Sequence, residues 1–503
     1  MAYILLYFDR IEMTFSLKGK MIVSRYLIAA ILLLIYGCGS SGGSSTSSSS
    51  SPSSSPPNTS LPIFSNHTTP SGTNNDEGQF NSMLHTQALG VVGVYYSSDN
   101  ASIKMVSSTD SDGIFTSPSY YFTDTDVEDD NVTLLADSNG YHILYLHITD
   151  GLQYVFNNDL GLDDGSATEW IPVTVDAGIS VKAYSSMAID SSGYVHVSYY
   201  DITNAAFKYA TNATGSWVTE TVDSGSALTV NEVLYDTPNG AITVFRGQSA
   251  DNTSLLEGKI TVTFTIGSVA YSEVDNRLGA FYNTNAKITS STINYTTGAI
   301  AITFTTAPDN TTDIALAIAH DKYSSIVIDG SDLPHISYYD YHTSITNGNL
   351  KFASRDADGN WTLNTLDSTG NVGLYSYLTL HNSFFYITYY DSHLDIIKLI
   401  SNETRAWIST TLVSEVPSAT SCPLVITDSG TKHISYFKNC DGNSSIDLCY
   451  AIVGVRFDTP VDTSGIGNGE HISLALDSVS GKPYFLYYDA QDNDLKFSRQ
   501  ISP

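Results

Sequence analysis

The residues best able to do chemistry recur in fixed frames. Two turns read Ser-x-Asp-x-Asp-Gly-x-aromatic, "SSTDSDGIF" at 107–115 and "ASRDADGNW" at 353–361. Ser108, Asp110 and Asp112, and likewise Ser354, Asp356 and Asp358, fit the first three ligand positions of a calcium loop with Ser replacing the first Asp. No Glu stands six residues after either Gly, where the bidentate ligand of such a loop belongs. The competing reading is a structural turn whose Asp takes up backbone donors. Four acids, Asp201, Asp340, Asp391 and Asp489, each close a Tyr-Tyr-Asp and are candidate rim groups. Two of them together would make a carboxylate pair of the glycosidase kind, while their repetition favours turn capping. His196, His335 and His433 open the same segment, and a residue repeated in this way reads as scaffold. The run "TDTDVEDDN" at 123–131 gathers Asp124, Asp126, Glu128, Asp129 and Asp130 and reads as a solvated connection between strands. No nucleophile elbow, HExxH helix or phosphate-cradling loop is present, so no catalytic residue is assigned. Calcium is the sole cofactor suggested.

The elements that must position these residues form a repeat. All four tryptophans share one frame: Trp170 begins "WIPVTVD", Trp217 "WVTETVD", Trp361 "WTLNTLD" and Trp407 "WISTTLV". Asp176, Asp223 and Asp367 lie six residues after their Trp, and Val413 takes that place in the fourth copy. "HVSYYD" at 196–201 returns as "HISYYD" at 335–340, "YITYYD" at 386–391, "HISYFK" at 433–438 and "FLYYD" at 485–489, with weaker copies at 92–97 and 142–147. "YSSMAID" precedes it, "AFKYA" follows it, and "WVTETVD" completes the unit. Each unit thus reads as four short strands, rich in Val, Ile, Thr, Tyr and Phe and bounded by turn residues. Four-stranded units at this spacing predict an all-β chain, a seven-bladed β-propeller of four-stranded blades. The last unit lacks its fourth strand, and "FNSMLHTQ" at 80–87 is the expected donor that closes the ring.

These repeats resemble the propeller repeats of secreted bacterial and archaeal proteins, loosely related to the Asp-box propellers of sialidases. The resemblance implies fold rather than activity. A sialidase needs several arginines converging on a substrate carboxylate. Of the six beyond the leader, Arg246 and Arg277 lie between repeats, and Arg355 and Arg405 lie in third-to-fourth-strand turns on the opposite rim.

Between Asp201 and Asp340 the period is broken by an insertion of roughly 90 residues. Its "INYTTGAIAITFTTAP" resembles a small β module of phage tail and other extracellular proteins, implying an inserted all-β domain. Its point of exit places it on the rim where propellers usually bind ligands. The alternative is eight blades, with "NEVLYDTPNGAITVFRGQ" at 231–248 as two strands of the eighth.

The N-terminus supplies an address. Lys18, Lys20 and Arg25 precede the apolar run Leu27 to Tyr36, a signal-peptide pattern too short for a membrane span. "IYGC" resembles the lipobox of prokaryotic lipoproteins, which implies lipidation of Cys38. Residues 39–57 are all Gly, Ser, Thr or Pro and suit a flexible tether. The expected organisation is a signal peptide at 1–37, lipidated Cys and tether at 38–79, propeller at 80–227, inserted module at 228–320, and propeller again at 321–503.

Removing residues 1–37 takes away four basic and two acidic residues, leaving 18 Lys and Arg against 50 Asp and Glu. Such a chain does not suit nucleic acid, which needs a positive footprint. Cys440 and Cys449 flank a hairpin loop and are a candidate disulfide, leaving Cys422 unpaired. The expectation is a lipoprotein anchored at the exported face of the envelope, outer membrane or cell surface, whose propeller binds a protein or glycan. The alternative is a glycan-active hydrolase or lyase.

Overall fold

Every regular element among the described residues is a β-strand. The computed structural model describes residues 63–501, leaving out 69–76, 87–89, 98–100, 109–126, 148, 159–169, 178–184, 202–205, 225–231, 234–240, 249–259, 275–278, 295–298, 310–313, 319–322, 341–347, 417–420, 444, 465–470 and 478.

After β1 (Phe64–Thr68), a first sheet holds β2 (Glu77–Thr86), β3 (Gly90–Ser97) and β4 (Ser102–Ser108). The second holds β5 (Val127–Ala136), β6 (Tyr141–His147), β7 (Gly151–Asn157) and β8 (Val173–Asp176). The third holds β9 (Ser186–Ile189), β10 (Val195–Asp201), β11 (Ala206–Thr211) and β12 (Val218–Ser224). The insertion contributes β13 (Glu232–Val233), β14 (Val244–Gln248), β15 (Ile260–Ile266), β16 (Val269–Val274), β17 (Ile288–Asn294), β18 (Ala299–Phe304) and β19 (Ala315–Ile318). The fourth sheet is β20 (Ser324–Ile328), β21 (Pro334–Asp340), β22 (Asn349–Arg355) and β23 (Trp361–Asp367). The fifth is β24 (Val372–His381), β25 (Phe384–Asp391), β26 (Ile396–Ser401) and β27 (Ile408–Ser414). The sixth is β28 (Leu424–Ile426), β29 (Lys432–Lys438), β30 (Asp447–Ile452) and β31 (Arg456–Asp462). The seventh is β32 (Ile472–Leu476), β33 (Pro483–Asp489) and β34 (Asp494–Gln500), with β1 as its fourth strand.

Each repeat is an antiparallel meander, and its strands differ in what covers them. β10 and β21 are buried at every position, as a strand must be when neighbouring sheets pack on both its faces. The outermost β12 and β23 are largely exposed. The innermost strands are partly buried, and they touch in sequence: β2 with β5, β5 with β9, β9 with β20, β20 with β24, β24 with β28, β28 with β32, and β32 with β2.

Trp217, Trp361 and Trp407 are mortar between sheets. Their rings sit edge-on against Tyr154, Tyr209 and Phe352 of the sheet before, at 5.3, 5.4 and 5.1 Å between centroids. Side-chain hydroxyls stitch the inner strands to one another. Ser82 Oγ accepts from Leu134 N at 3.0 Å, Ser186 Oγ from Ile326 N at 3.2 Å, and Ser325 Oγ from Leu378 N at 3.0 Å. Ser473 Oγ donates to Asn81 O at 3.0 Å, tying the seventh sheet to the first.

The donor of the seventh sheet's fourth strand corrects the sequence reading. Residues 80–87 do not fill that edge; they belong largely to β2, which pairs with β3. β1 fills it, with Phe64 opposite Gln500 and Thr68 opposite Lys496. Phe64 packs edge-on against Tyr450 and Phe485, at 6.2 and 5.7 Å. Gly78, the second residue of β2 (φ +104°), lies against the seventh sheet, where a Cβ would be 2.5 Å from Leu495 Cβ. Ordered strand therefore begins inside the segment read as tether.

The insertion is two small sheets, ordered β13-β19-β15-β16 and β14-β18-β17, over a core including Phe245, Val262, Phe264, Ile302 and Phe304. The two segments that the eight-blade parsing joins lie in different sheets: β13 pairs with β19 and β14 with β18. The third and fourth sheets remain direct neighbours across it, with Ser198 Oγ and Ser324 Oγ 3.0 Å apart.

Candidate functional site

The four rim candidates end their strands and are buried. Asp201, Asp340, Asp391 and Asp489 are at most 1% exposed. Each meets a lysine from the third strand of its own sheet: Lys208, Lys351, Lys398 and Lys496. The distances are 3.6 Å for Asp201, 2.7 Å for Asp340 and 2.7 Å for Asp391, with Lys496 in contact with Asp489. Three of these lysines also bind the acid that follows a tryptophan in the preceding sheet. Lys208 contacts Asp176, Lys351 reaches Asp223 at 2.9 Å and Lys398 reaches Asp367 at 3.1 Å. The first tyrosine of each Tyr-Tyr-Asp donates to the same preceding acid: Tyr199 to Asp176 at 2.6 Å, Tyr338 to Asp223 at 2.7 Å, Tyr389 to Asp367 at 2.8 Å, and Tyr487 to Asp462 at 2.5 Å.

Two acids, one lysine and one tyrosine thus form a clasp across a sheet boundary. A buried carboxylate is tolerated when paired and hydrogen-bonded. Burial opposes the Lys351 charge, but hydrogen bonds to Asp340 and Asp223 outweigh it and hold the ammonium above its ordinary pKa. Lys398 and Lys496 are raised by the same balance, against burial. Asp391 and Asp489 also cap turns, accepting from His393 N at 3.1 Å and Gln491 N at 2.9 Å, as repetition suggested.

At the boundary between the fifth and sixth sheets all three charges disappear together. Val413 stands where the preceding acid would be, Lys438 where the closing acid would be, and Cys449 where the lysine would be. Register fixes the equivalence: Lys398 is opposite Tyr389, and Cys449 is opposite Tyr436. Tyr436 turns instead to Asp458 at 2.8 Å, joined by Lys438 at 3.1 Å. The set is not always lost whole: in the first sheet Lys104, opposite Tyr95 and buried, is kept while Ser97 stands in the place of the closing acid. Neither the lysines nor Asp462 were singled out from sequence. The lysine was visible as the fixed third letter of "AFKYA", "NLKFA" and "DLKFS".

The repeated histidines are scaffold. Nδ1 of His196 and of His433 lies 2.5 Å from the hydroxyls of Tyr209 and Tyr450, and Nε2 of His196 and His335 lies 3.2 and 3.1 Å from Asp190 and Asp329. Burial lowers the pKa of His196, His335 and His433 and pushes the Tyr209 phenol up to about 12.

Of the two calcium-like turns, Asp110 and Asp112 lie outside the described residues, and of Ser108 only the backbone, the end of β4, is described. Ser354 lies in β22, and Asp356 Oδ1 accepts from Asn360 N at 2.8 Å, which helps hold its carboxyl below the usual range. Asp358 stands in the same turn, ahead of Gly359 at φ +88°. In the acidic run, Asp124 and Asp126 lie outside the described residues, while residues 128–130 fall within β5 rather than in a connection. Arg355 is bound to Glu220 at 2.8 Å.

Cys440 and Cys449 are bridged, with Cα atoms 6.2 Å apart, and Cys422 is free and buried. The bridged pair is not opposed across the hairpin: Cys449 faces Tyr436, while Cys440 lies in the loop beyond Lys438.

The inner strands of the seven sheets surround a cavity of about 800 Å³. Among the described residues its lining contains no Asp, Glu, Lys, Arg or His. Strand alternation sorts the inward side chains into layers. Tyr323, Tyr375 and Ser421 stand towards the starts of their strands. Ser82, Thr133, Ser186, Ser325, Tyr377 and Ser473 form a hydroxyl ring, broken only by Pro423. Leu84, Leu135, Ala188, Val327 and Val425 follow two residues on and pack against the hydrophobic clusters between sheets.

No protein-family model matches the sequence, and no curated protein matches it. Among solved structures, a mutant of AofleA from Arthrobotrys oligospora covers 80% of this chain and 90% of its own, with 12% identity and a TM-score of 0.41. Polysaccharide lyase Uly1 covers 84% and 90%, with 7% identity and a TM-score of 0.42. A Trypanosoma rangeli sialidase in complex with 2,3-difluorosialic acid covers 88% of this chain and 60% of its own, with 9% identity and a TM-score of 0.35. At such values these likenesses carry no argument about the chemistry of this chain.

Proposed function

We propose that this chain is a seven-bladed β-propeller on a lipid tether, serving as a binding or scaffold module for a protein or glycan in the envelope or outside it. The cyclic succession of inner-strand contacts and the bond from Ser473 to Asn81 support seven blades and closure. One observation carries the binding reading: the recurring acids, lysines and histidines are committed to holding strands and sheets together, and among the described residues no charged side chain lines the axial cavity. A hydrolase or lyase on this scaffold would have to draw its acid and base from residues outside that lining. The lipobox-like segment supports anchoring through Cys38 at the exported face, and the turns at Ser108 and Ser354 keep calcium as a candidate ligand.

Two experiments test this reading. Labelled full-length chain is applied to an array of envelope glycans and glycoproteins, and the supernatant is analysed by mass spectrometry. Retention without cleavage is expected; release of shortened or unsaturated sugars assigns the enzyme instead. Cys38→Ser should move the protein from membrane to soluble fractions. A variant that stays membrane-bound, with no labelled fatty acid on the wild type, refutes the anchor.

A further inference from the structure

We infer that the axial cavity is a binding site for an uncharged oligosaccharide, with Tyr377 as its stacking platform; this deepens the binding-module reading and rests on it. The cavity has the size of a ligand site, and its volume is bounded by side chains from all seven sheets. A charged ligand entering it would lose hydration and meet no countercharge, which is costly in a partly enclosed site. In a chain of net charge −30, a lining whose described residues include no ionised group selects for neutral solutes.

The hydroxyl ring supplies polar recognition. Ser82, Ser186 and Ser325 each accept a backbone N–H from the next sheet, which fixes the oxygen. Their own protons have no acceptor among the hydrogen bonds of the described residues, and a hydroxyl carries one donor besides its lone pairs. Held in place by the sheet seams, these donors are preorganised for sugar oxygens.

Tyr377 supplies the apolar face. Its backbone neighbours Ser376 and Leu378 are buried, yet 38% of Tyr377 is exposed, and Tyr377 lines the cavity. Exposure with deep surroundings places this side chain in the cavity itself. In the equivalent place the other sheets present Ser82, Thr133, Ser186, Ser325, Pro423 and Ser473. One aromatic side chain in a ring of small ones breaks the sevenfold repeat on one wall, giving a sugar ring a flat surface while leaving space opposite.

The test measures binding of maltotriose, cellotriose and chitotriose to the full-length chain by calorimetry, with sialyllactose and a glucuronate trisaccharide as charged counterparts. Tyr377→Ala removes the platform, and Ala188→Trp fills the cavity from the third sheet. At least one neutral sugar should bind, about tenfold more weakly in Tyr377→Ala, whose thermal midpoint should stay within a few degrees of wild type, and undetectably in Ala188→Trp, whose midpoint should fall because Ala188 also packs against the seam with the fourth sheet. Should either variant unfold, Tyr377→Trp takes its place, and its fluorescence should respond to the bound sugar. No neutral sugar bound at millimolar concentration overturns the inference. So does binding that both variants leave intact, or tighter binding of the acidic sugars. Capture of a different glycan or a glycoprotein on the array, unaffected by Tyr377→Ala, keeps the module reading and removes only the cavity.

Discussion

Lys351→Met should be among the most damaging single changes in this protein. Lys351 lies between Asp340, which is 1% exposed, and Asp223 of the preceding sheet, at 2.7 and 2.9 Å. Removing the cation leaves two carboxylates facing each other with no countercharge. Breaking a buried pair in this way costs roughly 3–5 kcal/mol, much more than the pair contributes when intact. The triple variant Asp223→Asn, Lys351→Met, Asp340→Asn removes all three charges and keeps an acceptor for the Tyr338 hydroxyl. It should lie within about 2 kcal/mol of wild type, because a neutral set avoids the desolvation that the charged set suffers. The boundary before the sixth sheet already runs without this charge set, with Val413, Lys438 and Cys449 in its three places. Urea unfolding followed by near-ultraviolet circular dichroism measures both. The single variant should also regain stability as the pH falls towards about 5, since an unneutralised buried carboxyl takes up a proton in the fold more readily than in the unfolded chain. A loss below about 1 kcal/mol for Lys351→Met, or a triple variant no better than the single, would refute the clasp as a unit.

Phe64→Ala should destabilise the whole of the propeller by about 2 kcal/mol, less than a fully buried Phe, because it loosens the strand that completes the seventh sheet; an unchanged urea midpoint counts against β1 as the closing element. Replacing residues 228–320 with a short Gly/Ser loop should leave the melting temperature of the rest nearly unchanged, since loop closure varies slowly with length, and loss of folding would show that the insertion is part of the ring. His471 is buried and its pKa is lowered to about 3, so between its unfolded value of about 6.5 and pH 3 the unfolded chain binds a proton that the fold refuses. Stability should therefore fall as pH drops through that window, and His471→Phe should flatten the fall in melting temperature. At the other extreme Lys351, Lys398 and Lys496 have raised values, so their contribution holds below the unfolded lysine pKa and is lost as pH climbs through the folded ones. Lys398→Met should remove part of that alkaline loss in a pH-dependent melt.

Much of the architecture was legible because it is written as repetition. The frame of the four tryptophans and the Tyr-Tyr-Asp segments marked the strands of the third, fourth and fifth sheets, and β-branched and aromatic residues between turn signals mark strands by local chemistry. The insertion was legible as a break in the period. The strand that completes the seventh sheet was not. β1 reads "FSNHT", five residues with no copy of the Trp frame, and it becomes a strand because β34 offers an unpaired edge.

What the sequence by itself determined is the periodic part: strand identity, the segmentation into units and the scaffold role of a histidine that returns in several copies. What only the tertiary structure decided is which repeated residues meet. Asp223 and Lys351 are 128 residues apart, and no local pattern says that the acid of one sheet serves the lysine of the next. Periodicity reports which face of a strand is covered, but a contact across a sheet boundary depends on how whole sheets stack, and that is fixed by packing over the entire ring. For the same reason four acids that the sequence offered to a ligand turned out to be inside, and the uncharged cavity around Tyr377 became visible only when seven inner strands were brought together.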